Sequence, residues 1–92
     1  MKAEIYTKEL WIDQTSPLVL KETYTKMLKE AGFTILNSIE HFFHPYGYTC
    51  VFLLAESHFA IHTFPEEGKT FIQLSSCNKA MFQNWLEIYY ND

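Results

Sequence analysis

Apolar and polar residues alternate along the chain with two different periods, which distinguish helices from strands. The clearest helix begins at Ser16 and Pro17, because serine is a favoured N-cap and proline fits the first helical turn. Gly32 provides a common C-terminal stop. Between these residues, apolar side chains recur every three or four positions, as on a helix with one buried face: Leu20, Tyr24, Met27, Leu28 and Ala31.

The other apolar segments are short and rich in β-branched and aromatic residues, which is typical of strands. Residues 45–47 and 65–68 contain proline and glycine and therefore predict turns. The segment 48–55 has almost no polar residue, so we expect a central strand that is covered on both faces. We predict strands over residues 4–12, 33–43, 48–55, 58–64 and 69–76, and a closing helix over 80–89 with Met81, Trp85, Leu86 and Tyr89 on one face.

The resulting order, β-α-β-β-β-β-α, predicts an α+β fold. It is a two-layer α/β sandwich, in which a mostly antiparallel sheet has both helices on one face. A chain of 92 residues suits a single domain, 1–92. The composition is 48% hydrophobic and 17% aromatic, which is more apolar surface than so small a core can hide. We therefore expect part of that surface to be buried against a partner subunit.

Charge and cysteine content restrict the possible partners. The net charge is −4 and there is no basic cluster, which argues against nucleic acid and anionic membranes as main partners. No apolar run reaches the roughly 18 residues that span a bilayer. The first residues do not resemble a signal peptide, so we expect a cytoplasmic protein. Cys50 and Cys77 are then expected to be free thiols.

Reactive side chains cluster at the predicted end of a strand, at Glu56 and Ser57. A simple hairpin at residues 65–68 would pair residues whose numbers sum to 133. On that register Cys77 lies opposite Glu56 and Ser76 lies opposite Ser57, within the roughly 5 Å of a cross-strand pair. The thiol is therefore predicted to neighbour the bond between Glu56 and Ser57.

The histidines do not form an evident metal site. His41 and His44 are three residues apart on a predicted strand and so point to opposite faces. His58 and His62 share a face but lie roughly 13 Å apart, whereas zinc ligands lie about 2 Å from the metal. His62 is also five residues from Ser57, or roughly 16 Å along a strand. Unless the strand breaks, His62 can act on Ser57 only from a second subunit.

The segment from 54 to 68, with its ESH and HTFPE motifs, resembles the processing site of small bacterial and archaeal S-adenosylmethionine decarboxylases. The resemblance extends to residues 43–49 and to Cys77. It implies the fold predicted above and a proenzyme that cuts itself between Glu56 and Ser57. Ser57 would become a covalently bound pyruvoyl group, whose ketone forms a Schiff base with S-adenosylmethionine and withdraws electrons during decarboxylation. The product would supply the aminopropyl donor for spermidine biosynthesis.

The same resemblance implies a homodimer in which each site is shared between two subunits. One chain would contribute the cleaved pair Glu56 and Ser57, with Glu56 also in contact with the substrate. It would contribute Cys77 as the general acid that reprotonates the product. The partner would contribute Phe43 to stack on adenine, Thr49 to hold the ester intermediate, His62 as the base that removes the α-proton of residue 57, and Glu66 to bind the ribose hydroxyls.

The chain departs from the family pattern at Thr49, Phe64 and Asn78, where the family usually has serine, tryptophan and glycine. It also ends at Asp92, where family members usually continue into a further strand and tail. Two alternatives therefore stay open. One is pyruvoyl-dependent decarboxylation of another amino acid, such as arginine or ornithine. The other is an uncleaved homologue that acts as a binding or regulatory module.

Overall fold

The computed structural model describes residues 2–91 and contains five strands and two α-helices in the predicted order. The strands are β1 (Tyr6–Ile12), β2 (Ile35–Phe42), β3 (Tyr48–Leu54), β4 (Ser57–Phe64) and β5 (Lys69–Ser76). The helices are α1 (Pro17–Ala31) and α2 (Lys79–Tyr90), and a short 3-10 turn, Pro65–Glu67, joins β4 to β5. All strand pairs are antiparallel, in the order β1-β5-β4-β3-β2, which confirms the predicted fold class.

The first helix has the caps that its sequence predicts. The hydroxyl of Ser16 accepts a hydrogen bond from the backbone N–H of Val19, and Pro17 occupies the first turn. Gly32 closes α1 in the left-handed conformation, with φ of 105°, which glycine adopts without a Cβ clash. The apolar face predicted from spacing is buried as a whole. Within residues 2–91 no helix is long and apolar enough to cross a membrane.

Both helices contribute to one core on a single face of the sheet. Trp85 of α2 lies at its centre, with its ring 6.3 Å from that of Tyr24 and 5.6 Å from that of Phe59. Phe82 is also buried, although the predicted apolar face of α2 did not include it. Its ring lies 5.9 Å from that of Tyr6 on β1. Helical spacing alone did not reveal this contact between α2 and the edge strand.

The opposite face of the sheet, which we call the open face, has no covering layer among residues 2–91. Cys50 and Phe52 of β3 are buried under the helices, but Val51 and Leu53 point the other way and are 38% and 52% exposed. The prediction that this strand is covered on both faces is therefore wrong for a single chain. Two helices on one side leave every second residue of β3 without a partner layer.

The β4–β5 hairpin has the predicted register. Phe64 pairs with Lys69 at the turn, and the ladder continues to Ser57 and Ser76. Gly68 closes the turn in the left-handed region, with φ of 64°. The unbroken β4 strand thus fixes the spacing between the two groups of candidate site residues.

A polar network ties α1 to the neighbouring strands. Tyr48 is 1% exposed, and its hydroxyl donates to Oε2 of Glu40 at 2.5 Å. Lys21 Nζ lies 2.8 Å from the other carboxylate oxygen of Glu40. These bonds, that of Lys21 above all, hold the pKa of Glu40 below its ordinary value of 4.5. The network anchors β2 and β3 under the helix.

Candidate active site

The bond between Glu56 and Ser57 lies at the end of the β3–β4 hairpin. Leu54 pairs with Ser57, so Ala55 and Glu56 form the loop. Glu56 has φ of 62°, a left-handed conformation that costs a residue with a Cβ roughly 1–2 kcal/mol. The residue before Ser57 is therefore held in a strained conformation at an exposed turn.

The hydroxyl of Ser57 is buried and has a single defined partner. Ser57 is 8% exposed, and its Oγ donates to Oγ of Ser76 at 2.7 Å. The backbone N–H of Asn78 donates to the same Ser76 oxygen at 2.9 Å. Asn78 is also the N-cap of α2, since its side chain accepts from the N–H of Met81 at 3.0 Å. The turn between β5 and α2 is thereby fixed next to Ser57.

Cys77 lies in this turn, as the register predicts. Its Sγ is 3.3 Å from the carbonyl oxygen of Glu56 and 3.8 Å from the Glu56 carboxylate. The thiol is exposed. Cys50, by contrast, is fully buried in the core, and burial raises the pKa of its thiol. Of the two thiols, only that of Cys77 touches the predicted cleavage site.

A second group of predicted site residues lines a pocket of about 300 Å³ at the other end of β4. Thr49 Oγ1 and His62 Nδ1 are hydrogen-bonded there at 2.9 Å. If Nδ1 donates to the threonine, the other ring nitrogen of His62 is free to take a proton. The pocket is lined by Phe43, Tyr46, Gly47, Thr49, His62, Thr63, Phe64 and Glu66.

Aromatic side chains on the open face pack in a row beside His62. The Phe71 ring stacks on the imidazole with centroids 6.4 Å apart, and Trp11 packs 5.2 Å beyond Phe71. Trp11 also lies 5.8 Å from Phe64 at the pocket wall. Sequence reasoning assigned no role to Trp11 or Phe71. The cross-strand partners of β4 would have revealed Phe71, since numbers that sum to 133 pair it with His62.

The structure separates the two groups of residues. Ser57 and His62 lie five positions apart on an unbroken strand, or roughly 16 Å. The odd spacing also places them on opposite faces: Ser57 points towards the helices, whereas His62 lies on the open face with Thr49 and Phe71. A single chain cannot bring the imidazole to Ser57, as the sequence predicts.

The histidines occupy separate environments. His41 lies on β2, but His44 lies in the loop that follows the strand, so the prediction that both are on one strand is wrong. The strand ends at Phe42, before the turn at Pro45. Across residues 2–91, no group of three or more histidine, cysteine, aspartate or glutamate residues is placed to hold a metal ion.

A larger groove of about 910 Å³ lies away from both groups, between α1 and the end of β2. Its charged lining consists of Lys21, Glu22, Lys26, Lys29 and Glu40. Lys21 and Lys26 are paired with glutamates. The groove contains no histidine, cysteine or buried nucleophile, so its size alone does not make it a catalytic site.

Two known proteins with similar sequences are S-adenosylmethionine decarboxylase proenzymes. The S-adenosylmethionine decarboxylase proenzyme of Parasynechococcus marenigrum (strain WH8102) is 48% identical over 58 residues, which are 63% of this chain and 45% of that protein. The proenzyme of Thermosipho melanesiensis is 43% identical over 60 residues, which are 61% of this chain and 46% of that protein. This chain thus spans about half the length of these relatives.

A solved structure shares the fold. The crystal structure of the adenosylmethionine decarboxylase from Aquifex aeolicus VF5 matches 99% of this chain and 81% of its own, with a TM-score of 0.78 and 22% identity. A family model described as S-adenosylmethionine decarboxylase matches residues 12–91. That match includes both groups of predicted site residues and four of the five strands, β2 to β5. The chain therefore belongs to the S-adenosylmethionine decarboxylase family.

Proposed function

We propose that the chain cuts itself between Glu56 and Ser57, and that it then decarboxylates S-adenosylmethionine with a pyruvoyl group made from Ser57. The product is the aminopropyl donor for spermidine biosynthesis. One observation carries this proposal: Cys77 Sγ lies 3.3 Å from the Glu56 carbonyl oxygen, beside a buried serine hydroxyl. This is the arrangement that an acyl shift requires, a nucleophile on one side of a carbonyl and a donor at its oxygen.

Cleavage begins with attack of Ser57 Oγ on the carbonyl carbon of Glu56. A bond forms between these two atoms, the amide C–N bond breaks, and the hydroxyl proton ends on the freed amino group. During the attack, negative charge develops on the Glu56 oxygen, where the Cys77 thiol can donate. The left-handed φ of Glu56 raises the energy of the backbone next to the bond before cleavage.

The ester is then broken by elimination. His62 of a second copy removes the α-proton of residue 57, and the Glu56 carboxylate leaves as the new C-terminus. Water replaces the nitrogen of the resulting dehydroalanine, which releases ammonia and completes the pyruvoyl group. This group supplies an electron-withdrawing ketone when the substrate loses carbon dioxide. The residues fit it, since Cys77 is exposed beside its position and can return a proton to the product.

The separation of Ser57 and His62 supports a homodimer. If two open faces pack with a two-fold axis across β4, the strands run in opposite directions, and the His62 end of one lies over the Ser57 end of the other. Exposed apolar side chains suit such a contact, because Trp11, Ile39 and Leu53 are all more than half exposed on the open face. The dimer would contain two complete sites.

The pocket has two side chains that suit a nucleoside. Phe43 is 50% exposed at its rim, where an aromatic ring can stack on a base. Glu66 also lines it and provides a carboxylate that can accept from both hydroxyls of a ribose. An aromatic ring and a carboxylate also suit the cationic side chain of arginine or ornithine. The choice of S-adenosylmethionine over these two amino acids therefore rests on the family match over residues 12–91.

Two measurements test the proposal. The intact mass of freshly purified protein under denaturing conditions should give two fragments that divide after Glu56, the second starting with a pyruvoyl group. The Ser57→Ala control should give one uncut chain. Release of labelled carbon dioxide should then occur with S-adenosylmethionine and not with arginine or ornithine. A single full-length mass for the unmodified chain would overturn the cleavage, and release from an amino acid alone would overturn the substrate.

A further inference from the structure

Ser76 makes contacts that the mechanism above does not use. It lies directly opposite Ser57 in the β4–β5 ladder and is 1% exposed. Its hydroxyl accepts from Ser57 at 2.7 Å and from the N–H of Asn78 at 2.9 Å, and its own proton points towards the Asn78 carbonyl oxygen at 3.4 Å. The nucleophile of the proposed cleavage therefore has one side-chain partner, and the backbone fixes that partner in place.

We propose that Ser76 is a positioning residue for self-cleavage, which accepts the hydrogen bond that orients and polarises the Ser57 hydroxyl. The inference rests on the proposed cleavage at Ser57. A serine hydroxyl is a weak nucleophile until its proton is drawn away. Within residues 2–91 no histidine or carboxylate side chain is bonded to Ser57 Oγ, so Ser76 occupies the position that a general base has in other serine nucleophiles.

The step balances without another reactant. The proton starts on Ser57 Oγ, lies along the hydrogen bond to Ser76 during the attack, and ends on the amino group that the broken amide frees. Ser76 itself is unchanged. The same serine also holds the turn that contains Cys77, through its bond with Asn78. A test must therefore separate activation of the nucleophile from support of this turn.

The first experiment compares the rate of chain cleavage in Ser76→Ala, Ser76→Thr and Ser75→Ala. Hydroxylamine is included, because it cuts the ester as soon as the acyl shift has occurred. Loss of one hydrogen bond to the reacting oxygen should slow Ser76→Ala about 5- to 10-fold. Ser76→Thr, which keeps a hydroxyl, should cut within about twofold of the unmodified chain. Ser75→Ala changes the neighbouring residue on the open face and should also leave the rate unchanged.

The second experiment repeats Ser76→Ala in a Ser57→Cys chain. A thiol ionises far more readily than a hydroxyl, so it needs no acceptor. If Ser76 activates the nucleophile, its loss should slow formation of the hydroxylamine-sensitive thioester by less than about twofold. If Ser76 only supports the turn, Ser76→Ala should slow both chains equally, and that result would overturn the inference.

The two proposals fail in different ways. Equal cleavage rates for Ser76→Ala and Ser75→Ala, in a chain that otherwise cuts itself, would overturn the role of Ser76 alone. An unmodified chain that stays intact even in hydroxylamine would overturn self-cleavage, and the role of Ser76 with it. Thermal unfolding of each variant shows whether a slower rate reflects a loosened fold.

Discussion

The two ends of β4 differ in almost every physical respect. At the Ser57 end the hydroxyl is buried and hydrogen-bonded, the preceding residue is strained, and a thiol touches the carbonyl. At the His62 end an imidazole and a hydroxyl line an open pocket with exposed aromatic rings. The Ser57 end contains the proposed cleavage site, and the other end contains the proposed base, His62.

If Ser57 and His62 act in one reaction, strand geometry requires that two subunits share the site. Residues five apart on a strand point to opposite faces and lie roughly 16 Å from each other. No change of side-chain rotamer closes that distance. In the proposed dimer, a second copy with its strand reversed would place its His62 over the backbone of residue 57 at both ends, so one symmetric interface would complete two sites.

The largest expected effect comes from removing the base at the pocket end. His62→Ala should slow release of the two fragments by roughly 10²- to 10⁴-fold, the usual contribution of a positioned general base. The chain should stall as the ester, which hydroxylamine cuts, because the acyl shift needs only the Ser57 end. Intact mass with and without hydroxylamine measures both steps.

His58→Ala is the matched control for that variant. His58 lies on the same strand and the same face as His62 but adjoins Ser57 in sequence. We expect that loss of the near histidine, His58, leaves the cleavage rate unchanged and that loss of the distant one, His62, abolishes efficient cleavage. The reverse order of effects would show that one chain completes its own site.

A smaller effect is expected from the residue that orients His62. Thr49→Val keeps the shape of the side chain but removes the hydroxyl that is bonded to Nδ1. Loss of one such bond should slow the elimination about 5- to 10-fold. Thr49→Ser, which keeps the hydroxyl, should cut at nearly the normal rate. If Thr49 acts only by orienting His62, combining Thr49→Val with His62→Ala should add nothing. A further loss in the double variant would instead indicate that Thr49 holds the ester intermediate, the role that the family resemblance implies.

The smallest effect on cleavage is expected from Tyr48→Phe, which changes stability and leaves both ends of β4 intact. The variant loses the hydroxyl that donates to Glu40 and should lower the free energy of unfolding by about 1 kcal/mol at neutral pH. Chemical denaturation measures this difference, and the cleavage rate should not change. A slower cleavage rate would show that the rates of other variants also report on stability.

The pH dependence of that difference has a definite sign. The pKa of Glu40 is lowered in the folded chain, so its bonds stabilise the fold above the ordinary value and are lost as the pH falls through the folded value. The gap in stability between the unmodified chain and Tyr48→Phe should therefore shrink below about pH 4.5. A gap that widens in acid would contradict this assignment of the charge on Glu40.

The sequence predicts most of the fold and the position of one end of the site. The hairpin register follows from the turn at 65–68, and it correctly places Cys77 beside Glu56 and Ser76 opposite Ser57. The caps of α1 follow from Ser16 and Gly32, because capping is local chemistry. These features depend on neighbours in sequence or on a single turn.

Other features depend on contacts between distant segments and escaped prediction. The open face of β3 could not be inferred from its composition, since a run of apolar residues fits a strand covered by helices and a strand covered by another subunit equally well. The stack of His62 on Phe71 and the bond from Ser57 to Ser76 need the sheet order and the rotamers. Register places such residues opposite one another, but only the structure shows which atoms meet.

Co-expression of two inactive variants tests the shared site most directly. Ser57→Ala lacks the bond-cutting hydroxyl and His62→Ala lacks the base, so neither should release fragments alone. In a mixed dimer, Ser57 of the His62→Ala chain meets His62 of the Ser57→Ala chain. We expect the His62→Ala chain, identified by a mass tag, to be cut in the purified mixed dimer while its partner stays whole. A purified mixed dimer in which neither chain is cut would contradict the shared site.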